Sequence, residues 1–448
     1  MKLTPTPLAA LAGLRRQRTA LVLSAPFLVL GLAMSGSSLA ASAPVAAKFA
    51  YTGAEQTYTV PAGVTWVSAT VGGAPGWDTT TNSTGTVGDN NDGWEVFGEL
   101  AVTPGEKLYV EVGQAGLASG AATFGGGGVG GSGALSSGAS GGGASDVRTC
   151  SAHARSCSGQ GGSLGSRLIV GAGGGGSGGS ANPSDGTGDF VNSLGASSCK
   201  QGASLSSCLT HLLKGGTVID GDAAYGGNST QTPGFVAASG GGVAGGAGGV
   251  APSSDLGTVG NTKCLMAGSA SGTTGLFARG AAGASGGPNG GGGGGGGYYG
   301  GGSGASGRTG TGSCTEPIAG HGGGGGEGSS FLASAMVNGE VTAHGDSSGG
   351  VTTAQVVLQP LIRVNTPVKG ATFKQGQRVR ASFSCYYSSG TPTGGCTGNG
   401  SPAGASVASG APLDTSKPGR HTFTVTNTSE SSSSKVATTI TYTVAAKH

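Results

Sequence analysis

The sequence has few charged and few aromatic residues, and these shortages bear on whether the chain is disordered or folded. Charged residues make up 10% of the 448 positions and aromatic residues 5%. A low-complexity chain is first expected to be disordered, because it cannot bury enough apolar surface to offset the entropy of ordering. Disordered chains are usually rich in charge, however. Short β-branched runs such as RLIV at 167–170 also interrupt the glycines here, and such runs are typical of strands.

The motifs of the common enzyme classes are also missing or incomplete. HRD, DFG and VAIK are absent, which excludes a kinase catalytic domain. The GDSSGG run at 345–350 resembles a serine-protease nucleophile loop, but it has one serine too many. His344 directly precedes this run, and no segment supplies a separate histidine base held by a buried aspartate. A polar turn is favoured there, and the sequence predicts no enzyme and no catalytic residues.

Two patterns resemble cofactor or metal motifs, but neither has the flanking sequence or the spacing that such a motif requires. RLIVGAGGGG at 167–176 fits a dinucleotide fingerprint, but the following SGGSANPSDG cannot form the helix that the fingerprint requires. The oxygen-rich GDNNDG at 88–93 lacks the spacing of an EF-hand, so a simple turn is favoured over a calcium site. No cysteine pair has C-x-x-C spacing, which argues against a zinc ribbon or a redox site. We therefore predict no cofactor and no metal.

Glycine is abundant instead, with 100 residues, about three times the usual share of ~7%. A strict Gly-X-Y period is absent, which excludes collagen. The longest tract is GGGGGGGYYGGG at 291–302. Glycine loses more backbone freedom on ordering than any other residue, so this tract is either disordered filler or framework. Tyr298 and Tyr299 within it are either exposed binding residues or aromatic residues buried between packed layers, and the second alternative is favoured.

The N-terminus has the segments of a secretory signal peptide. A basic region holds Arg15, Arg16 and Arg18, and an apolar stretch at 19–34 is shorter than a membrane span. Small residues at Ser38 and Ala40 predict cleavage before residue 41, so 1–40 is assigned as signal peptide; an uncleaved anchor is the alternative. We expect a secreted or cell-surface protein with no stable membrane span after cleavage. The remaining chain carries one net negative charge, which gives nucleic acid no basic surface to bind.

The even number of cysteines fits an exported protein, in which disulfides are expected. The eight are Cys150, Cys157, Cys199, Cys208, Cys264, Cys314, Cys385 and Cys396. The simplest pairing is local, Cys150–Cys157, Cys199–Cys208 and Cys385–Cys396, which leaves Cys264 with Cys314. The connectivity stays open because sequence alone cannot fix it.

Composition divides the exported chain into two domains. Residues 41–359 combine strand-like segments with the glycine tracts, and 360–448 alternate regularly between apolar and polar positions. In RVRASFSC the residues Val379, Ala381, Phe383 and Cys385 share one face. Several such short strands predict a β-sandwich module at the C-terminus.

Four runs in the first domain carry a family resemblance. They are, in order, GGGASDVRTC at 141–150, RLIVGAGGGG at 167–176, GGGGGGGYYGGG at 291–302 and GGGGGEGSSF at 322–331. Over residues 48–359 the chain resembles the glycine-rich domain of the anaplastic lymphoma kinase and leukocyte tyrosine kinase receptors, which also occurs in exported bacterial proteins. The resemblance implies a mainly β fold, a jelly-roll-like β-sandwich carrying a bundle of glycine polyproline-II-like helices. Glycine allows this because helices without Cβ atoms can approach closely and pair their backbone groups.

The C-terminal domain resembles the immunoglobulin-like modules that end many bacterial surface proteins. FSCYYSSGTPTGGC, PLDTSKPGRHTFTVT and TTITYTV carry this resemblance over residues 361–444. It implies an immunoglobulin-like β-sandwich in which Cys385 and Cys396 pair. Where the family has an acidic segment, this chain has TNTSESSSS at 426–434, so an ion-binding role is not carried over.

Together these patterns predict a non-enzymatic protein of adhesion or recognition. Exposed loops such as 78–93 would contact an unknown protein or polysaccharide, held on a rigid glycine-rich scaffold. The alternative is a structural envelope or extracellular-matrix component without a specific ligand. A secreted hydrolase is the third class considered, and it lacks a coherent set of catalytic partners.

Overall fold

The structure, a computed structural model, describes residues 45–77, 92–157, 161–179, 270–307, 322–343, 353–400, 405–428 and 435–447. It also describes the backbone of six short strands between residues 194 and 311. The predicted signal peptide lies outside these residues, as do Cys199, Cys208, Cys314 and the motif at 345–350. Cys264 is described by its backbone alone.

The described chain is mainly β, with a single 3-10 turn at Leu164–Ser166. No helix in this part of the chain is long and apolar enough to cross a membrane. The strands, in chain order, are β1 (Ala47–Ala50), β2 (Gln56–Thr59), β3 (Val64–Gly72), β4 (Glu95–Ala101), β5 (Lys107–Glu111), β6 (Gly133–Ser136), β7 (Ser145–Arg148), β8 (Arg167–Gly171), β9 (Leu194–Ala196), β10 (Thr217–Ile219), β11 (Ala223–Tyr225), β12 (Leu256–Val259), β13 (Thr262–Ala267), β14 (Gly287–Asn289), β15 (Thr309–Thr311), β16 (Ser330–Leu332), β17 (Met336–Ala343), β18 (Gln355–Thr366), β19 (Thr372–Lys374), β20 (Ser382–Cys385), β21 (Cys396–Gly400), β22 (Ala405–Val407), β23 (Gly419–Thr428) and β24 (Lys435–Ala445).

Two antiparallel six-stranded sheets form the first layered unit. One has the order β1-β18-β3-β4-β17, with β20 also paired to β18. The other has the order β10-β16-β8-β7-β5-β2. Leu108 and Val110 of β5 and Val112 just after it are buried, as their alternation predicts, because alternate side chains of a strand point to one face. They join buried residues from both sheets in one apolar core, so the two sheets pack face to face.

A third, five-stranded sheet covers a second core in the C-terminal region. Its order is β19-β24-β23-β21-β22, and all its pairs are antiparallel except β19 with β24. The four positions predicted to share one face, Val379, Ala381, Phe383 and Cys385, are confirmed as buried. Alternate residues of β23 and β24 are buried with them: Phe423, Val425, Ile440, Tyr442 and Val444.

The predicted domain boundary between 359 and 360 lies inside β18. The first half of this strand places Val356 and Leu358 in the first core, and the second half places Leu361 and Ile362 in the second. β3 extends beside it, and Trp66 packs against the second core while its Nε1 donates to Ala437 O at 3.0 Å. The two cores are therefore joined by continuous strands rather than by a flexible linker.

Two of the predicted disulfides are confirmed. Cys150 is bonded to Cys157, with 5.9 Å between Cα atoms, and Cys385 is bonded to Cys396, with 5.4 Å. The second bond links β20 to β21 at the edge of the second core, where Cys385 is buried. Disulfides of this kind point to an oxidising compartment.

Candidate recognition surface

The glycine tract at 290–297, called here the central segment, donates a backbone hydrogen bond from each N–H of residues 290–296, at 2.8–2.9 Å. The acceptors repeat with a period of three residues. Residues 290, 293 and 296 donate to Ser136, Ala139 and Gly142; 291 and 294 donate to Ala284 and Ala281; 292 and 295 donate to Gly323 and Gly326. Each third residue therefore faces the same neighbouring segment.

The carbonyl groups of the central segment accept from three other segments with the same period. Residues 290, 293 and 296 accept from Gly179, Gly176 and Gly173; 291 and 294 accept from Gly131 and Gly128; 292 and 295 accept from Gly304 and Gly301. Segments 128–131, 136–142, 173–179, 281–284, 301–304 and 323–326 thus surround the central segment. The tract satisfies its backbone groups by lateral bonding, which is what burial requires of them.

This packing leaves no space for side chains. Every residue from 290 to 297 is buried. A Cβ on Gly293 would lie 2.2 Å from Gly128 O, one on Gly294 would lie 2.1 Å from Gly301 O, and one on Gly295 would lie 2.0 Å from Gly173 O. These oxygens occupy the direction of a glycine Cα hydrogen, which is the arrangement of a Cα–H···O contact. Glycine is required here for close approach, so the tract is packed framework.

The segment after β8 belongs to the same packing. Residues 172–179 contain no helix, and the rest of the segment predicted to be non-helical, 180–186, lies outside the described residues. A Cβ on Gly173 would lie 2.2 Å from Gly142 O, and one on Gly175 would lie 2.0 Å from Gly325 O. The glycines that would face a pyrophosphate face other backbone instead.

An aromatic cluster closes the C-terminal end of the central segment. The Tyr298 ring stacks on Phe331 of β16, with 4.0 Å between centroids, and Tyr299 packs edge-on against Tyr298 at 5.2 Å. Phe277 contacts both tyrosines edge-on, at 5.3 and 5.6 Å. Both tyrosines are half-buried, so they pack between the glycine segments and the sheet, the alternative favoured from the sequence.

A buried arginine lies beneath this cluster. The guanidinium of Arg167 is 4.9 Å from the Phe277 centroid and 4.8 Å from that of Tyr298. It donates to Gly297 O at 3.1 Å and to Tyr298 O at 3.2 Å. Desolvation by burial lowers the pKa of Arg167, and the π faces and carbonyl oxygens compensate part of its charge. This arginine ties β8 to the end of the glycine tract.

A tight turn at 276–279 carries Phe277 to the surface. Leu276 N donates to Arg279 O at 2.8 Å, and Arg279 N donates to Leu276 O at 3.1 Å. The turn is bonded to the aromatic end of the tract, because Ala278 N donates to Tyr298 O at 3.0 Å. Leu276 is nevertheless 63% exposed and Phe277 38% exposed. We call this turn, with its exposed side chains, the aromatic ridge.

The aromatic ridge borders a cavity of about 180 Å³. Its lining includes Thr273, Thr274, Leu276, Arg279, Val129, three alanines and glycine backbone, and no carboxylate is among the described residues that line it. Arg279 is exposed and makes no ion pair with the residues that the structure describes. Sequence reasoning missed this site; the signal is the LFAR run at 276–279, which places two large apolar residues and a cation between glycine tracts.

A buried ionic cluster around Arg148 has a structural role. Arg148 Nη2 pairs with Glu111 Oε2 at 2.9 Å and with Asp146. Desolvation raises the pKa of Glu111 even beside Arg148. Ser163 accepts a further bond from Arg148 at 3.1 Å, so the cluster holds the disulfide-closed loop after β7 against the sheet.

Among the residues that the structure describes, no group of three or more histidine, cysteine, aspartate or glutamate side chains is placed to hold a metal ion. Of the predicted contact loop at 78–93, only Asp92 and Gly93 are described, and Asp92 is buried. No protein-family model matches this sequence, and no curated protein is significantly similar to it.

Proposed function

We propose that the protein is an exported, non-enzymatic recognition protein that displays a binding surface on a rigid glycine-rich scaffold at or beyond the cell surface. Its partner is a protein or a polysaccharide. The two disulfides support export, because such bonds persist in oxidising compartments.

The scaffold is proposed to be a bundle of polyproline-II-like glycine helices set on a jelly-roll-like sandwich. The three-residue period of the lateral hydrogen bonds supports this, because the polyproline II helix has three residues per turn and no internal hydrogen bonds. The C-terminal region is proposed to be an immunoglobulin-like module closed by Cys385–Cys396. Both assignments agree with the resemblance to the receptor glycine-rich domain and to bacterial surface modules.

The observation that carries the functional proposal is the exposure of the aromatic ridge on a fixed backbone. Full burial of such a side chain gains about 1.5–3 kcal/mol, of which Leu276, at 63% exposed, forfeits more than half and Phe277, at 38% exposed, a smaller part. Ala278 adopts φ +61, in the left-handed region, at a cost of order 1 kcal/mol, although glycine abounds in this chain. A turn that is destabilising in both respects yet firmly bonded to the bundle is typical of a binding site.

The test is saturable binding. The secreted full chain is applied to arrays of extracellular glycans and proteins, and its sedimentation is measured without a partner. Saturable binding to one component supports recognition. Concentration-dependent self-association with no binding supports the structural-matrix alternative, and turnover of a hydrolase substrate that a single serine or histidine substitution abolishes supports an enzyme.

A further inference from the structure

We infer that the aromatic ridge and its adjoining cavity bind a carboxylate-bearing saccharide, such as one uronic-acid residue of an acidic polysaccharide chain. This inference rests on the proposed recognition function and names the ligand class of that surface.

The shape favours a single sugar ring. The cavity of about 180 Å³ is smaller than the ~300 Å³ at the lower end of pockets for drug-sized ligands. It lies at the surface beside an exposed aromatic side chain, so one ring can enter while the rest of a polymer continues across the surface. Phe277 itself does not line the cavity; it lies next to Leu276 in the same turn, and its ring contacts Tyr298 and Tyr299 edge-on.

The chemistry of the surface fits a sugar better than a purely apolar ligand. The C–H face of a pyranose packs on an aromatic ring, and its hydroxyls need donors and acceptors. Thr273 and Thr274 are exposed at the cavity and supply hydroxyl groups beside the apolar Leu276. Aliphatic and hydroxyl groups therefore meet at one cavity, with the aromatic Phe277 in the adjoining turn, and such a surface can hold an amphipathic ring.

The charge favours an acidic sugar. Arg279 lines the cavity with an exposed guanidinium, and none of the lining residues that the structure describes carries a carboxylate to neutralise it. Guanidinium binds carboxylate through paired, charge-assisted hydrogen bonds. Arg167 adds a buried positive charge behind the Phe277 ring, 4.9 Å from its centroid.

The fixed backbone favours binding without rearrangement. Gly300 N donates to Leu276 O at 2.8 Å, and Gly280 N donates to Gly126 O at 2.8 Å, so both ends of the turn are bonded to glycine segments. A surface ordered before binding loses little conformational entropy on association. A shallow single-ring site can then give useful affinity when it is repeated along a polymer or on many copies of the protein.

The experiment measures binding of the full secreted chain to polygalacturonate, to its methyl-esterified form and to neutral dextran, by affinity electrophoresis and calorimetry. We expect polygalacturonate to bind best and its affinity to fall as salt rises. Arg279→Gln should weaken this binding at least about tenfold, the equivalent of one charge-assisted hydrogen bond. Leu276→Ala should also weaken it, whereas Leu135→Ala, which truncates an equally exposed leucine (64% against 63%) outside the cavity lining, should not.

The possible outcomes distinguish failure of the ligand assignment from failure of the proposed recognition function. Equal affinity for the esterified polymer, or polygalacturonate binding unchanged in both Arg279→Gln and Leu276→Ala, overturns the inference. Saturable binding to a protein or peptide and to no polygalacturonate also overturns it, but leaves the recognition function intact. Self-association with no ligand of any class overturns both.

Discussion

A side chain placed within the central segment should destabilise the whole fold, and Gly294→Val is the sharpest test. The Cβ would lie 2.1 Å from Gly301 O, 2.6 Å from Gly301 C and 2.8 Å from Gly302 O. All three are backbone atoms, so no side chain can rotate away and the segment that carries Gly301 must shift.

The magnitude follows from the bonds that this shift disturbs. Gly301 N donates to Gly295 O at 2.9 Å, and Ala281 N donates to Gly301 O at 3.0 Å. A buried backbone group that loses its partner costs about 1–3 kcal/mol. Two such bonds, together with the strain of overpacking, give a loss of at least about 2 kcal/mol in the free energy of unfolding.

The measurement is a denaturant melt of wild type and variant, read together with hydrogen exchange across the tract. Gly394→Val is the control, because nothing lies within 4 Å of its Cβ position and its φ is not in the left-handed region; its stability should change by no more than about 0.5 kcal/mol. Gly323→Ala is a milder test in the bundle, with its nearest atom at 3.3 Å. Unchanged stability of Gly294→Val, with unprotected amides at 291–297, would refute the packed-framework reasoning.

Three further predictions test other parts of the fold. Replacing Cys385 and Cys396 together with alanine should lower stability by about 2–3 kcal/mol, because they close a short loop of separation 11; an unchanged thermal melt would contradict this. The Tyr58 hydroxyl is buried without a hydrogen-bond partner, and desolvation raises its pKa to about 12. Between about pH 10 and about pH 12 the unfolded state therefore loses a proton that the folded state keeps. The free energy of unfolding should fall as the pH rises through this range. Tyr58→Phe should reduce that fall, the remainder including Tyr442, whose pKa burial also raises, and should be neutral or stabilising at pH 7; pH-dependent melts check both. A chain ending at residue 359 loses the half of β18 that pairs with Trp66 and Val64, so its first sandwich should melt below that of the full chain; equal melting would show that the shared strand contributes nothing.

The strands were largely predictable, and the site was not. Alternation identifies the inward faces of β5, β20, β23 and β24, because a strand with one buried face repeats every two residues. Composition places a domain boundary at Pro360, because glycine content falls there. Composition cannot show that β18 runs through this proline, since strand continuity depends on β3 and β20 pairing along its length.

The candidate site was missed for a related reason. Its parts lie in three separated places along the chain, with Arg167 at the start of β8, the turn at 276–279, and Tyr298 at the end of the tract. Only the lateral bonding of glycine segments brings these places together, and a run of identical residues carries no information about its own register. The resemblance to a known domain supplied the idea of a bundle, but not the neighbours of each segment.

The packed glycine segments explain why the aromatic ridge stays exposed to water. A loop that presents apolar side chains to water tends to collapse onto the nearest apolar surface, because burial of each side chain is favourable. Around the aromatic ridge the nearest surface is glycine backbone whose N–H and C=O groups are already bonded. That surface offers few side chains to cover Leu276, whereas Tyr298 and Tyr299 cover part of Phe277, and the bonds from Ala278 and Gly300 hold the turn in place. A scaffold of glycine backbone thus keeps an apolar turn exposed, fixed and available to a partner.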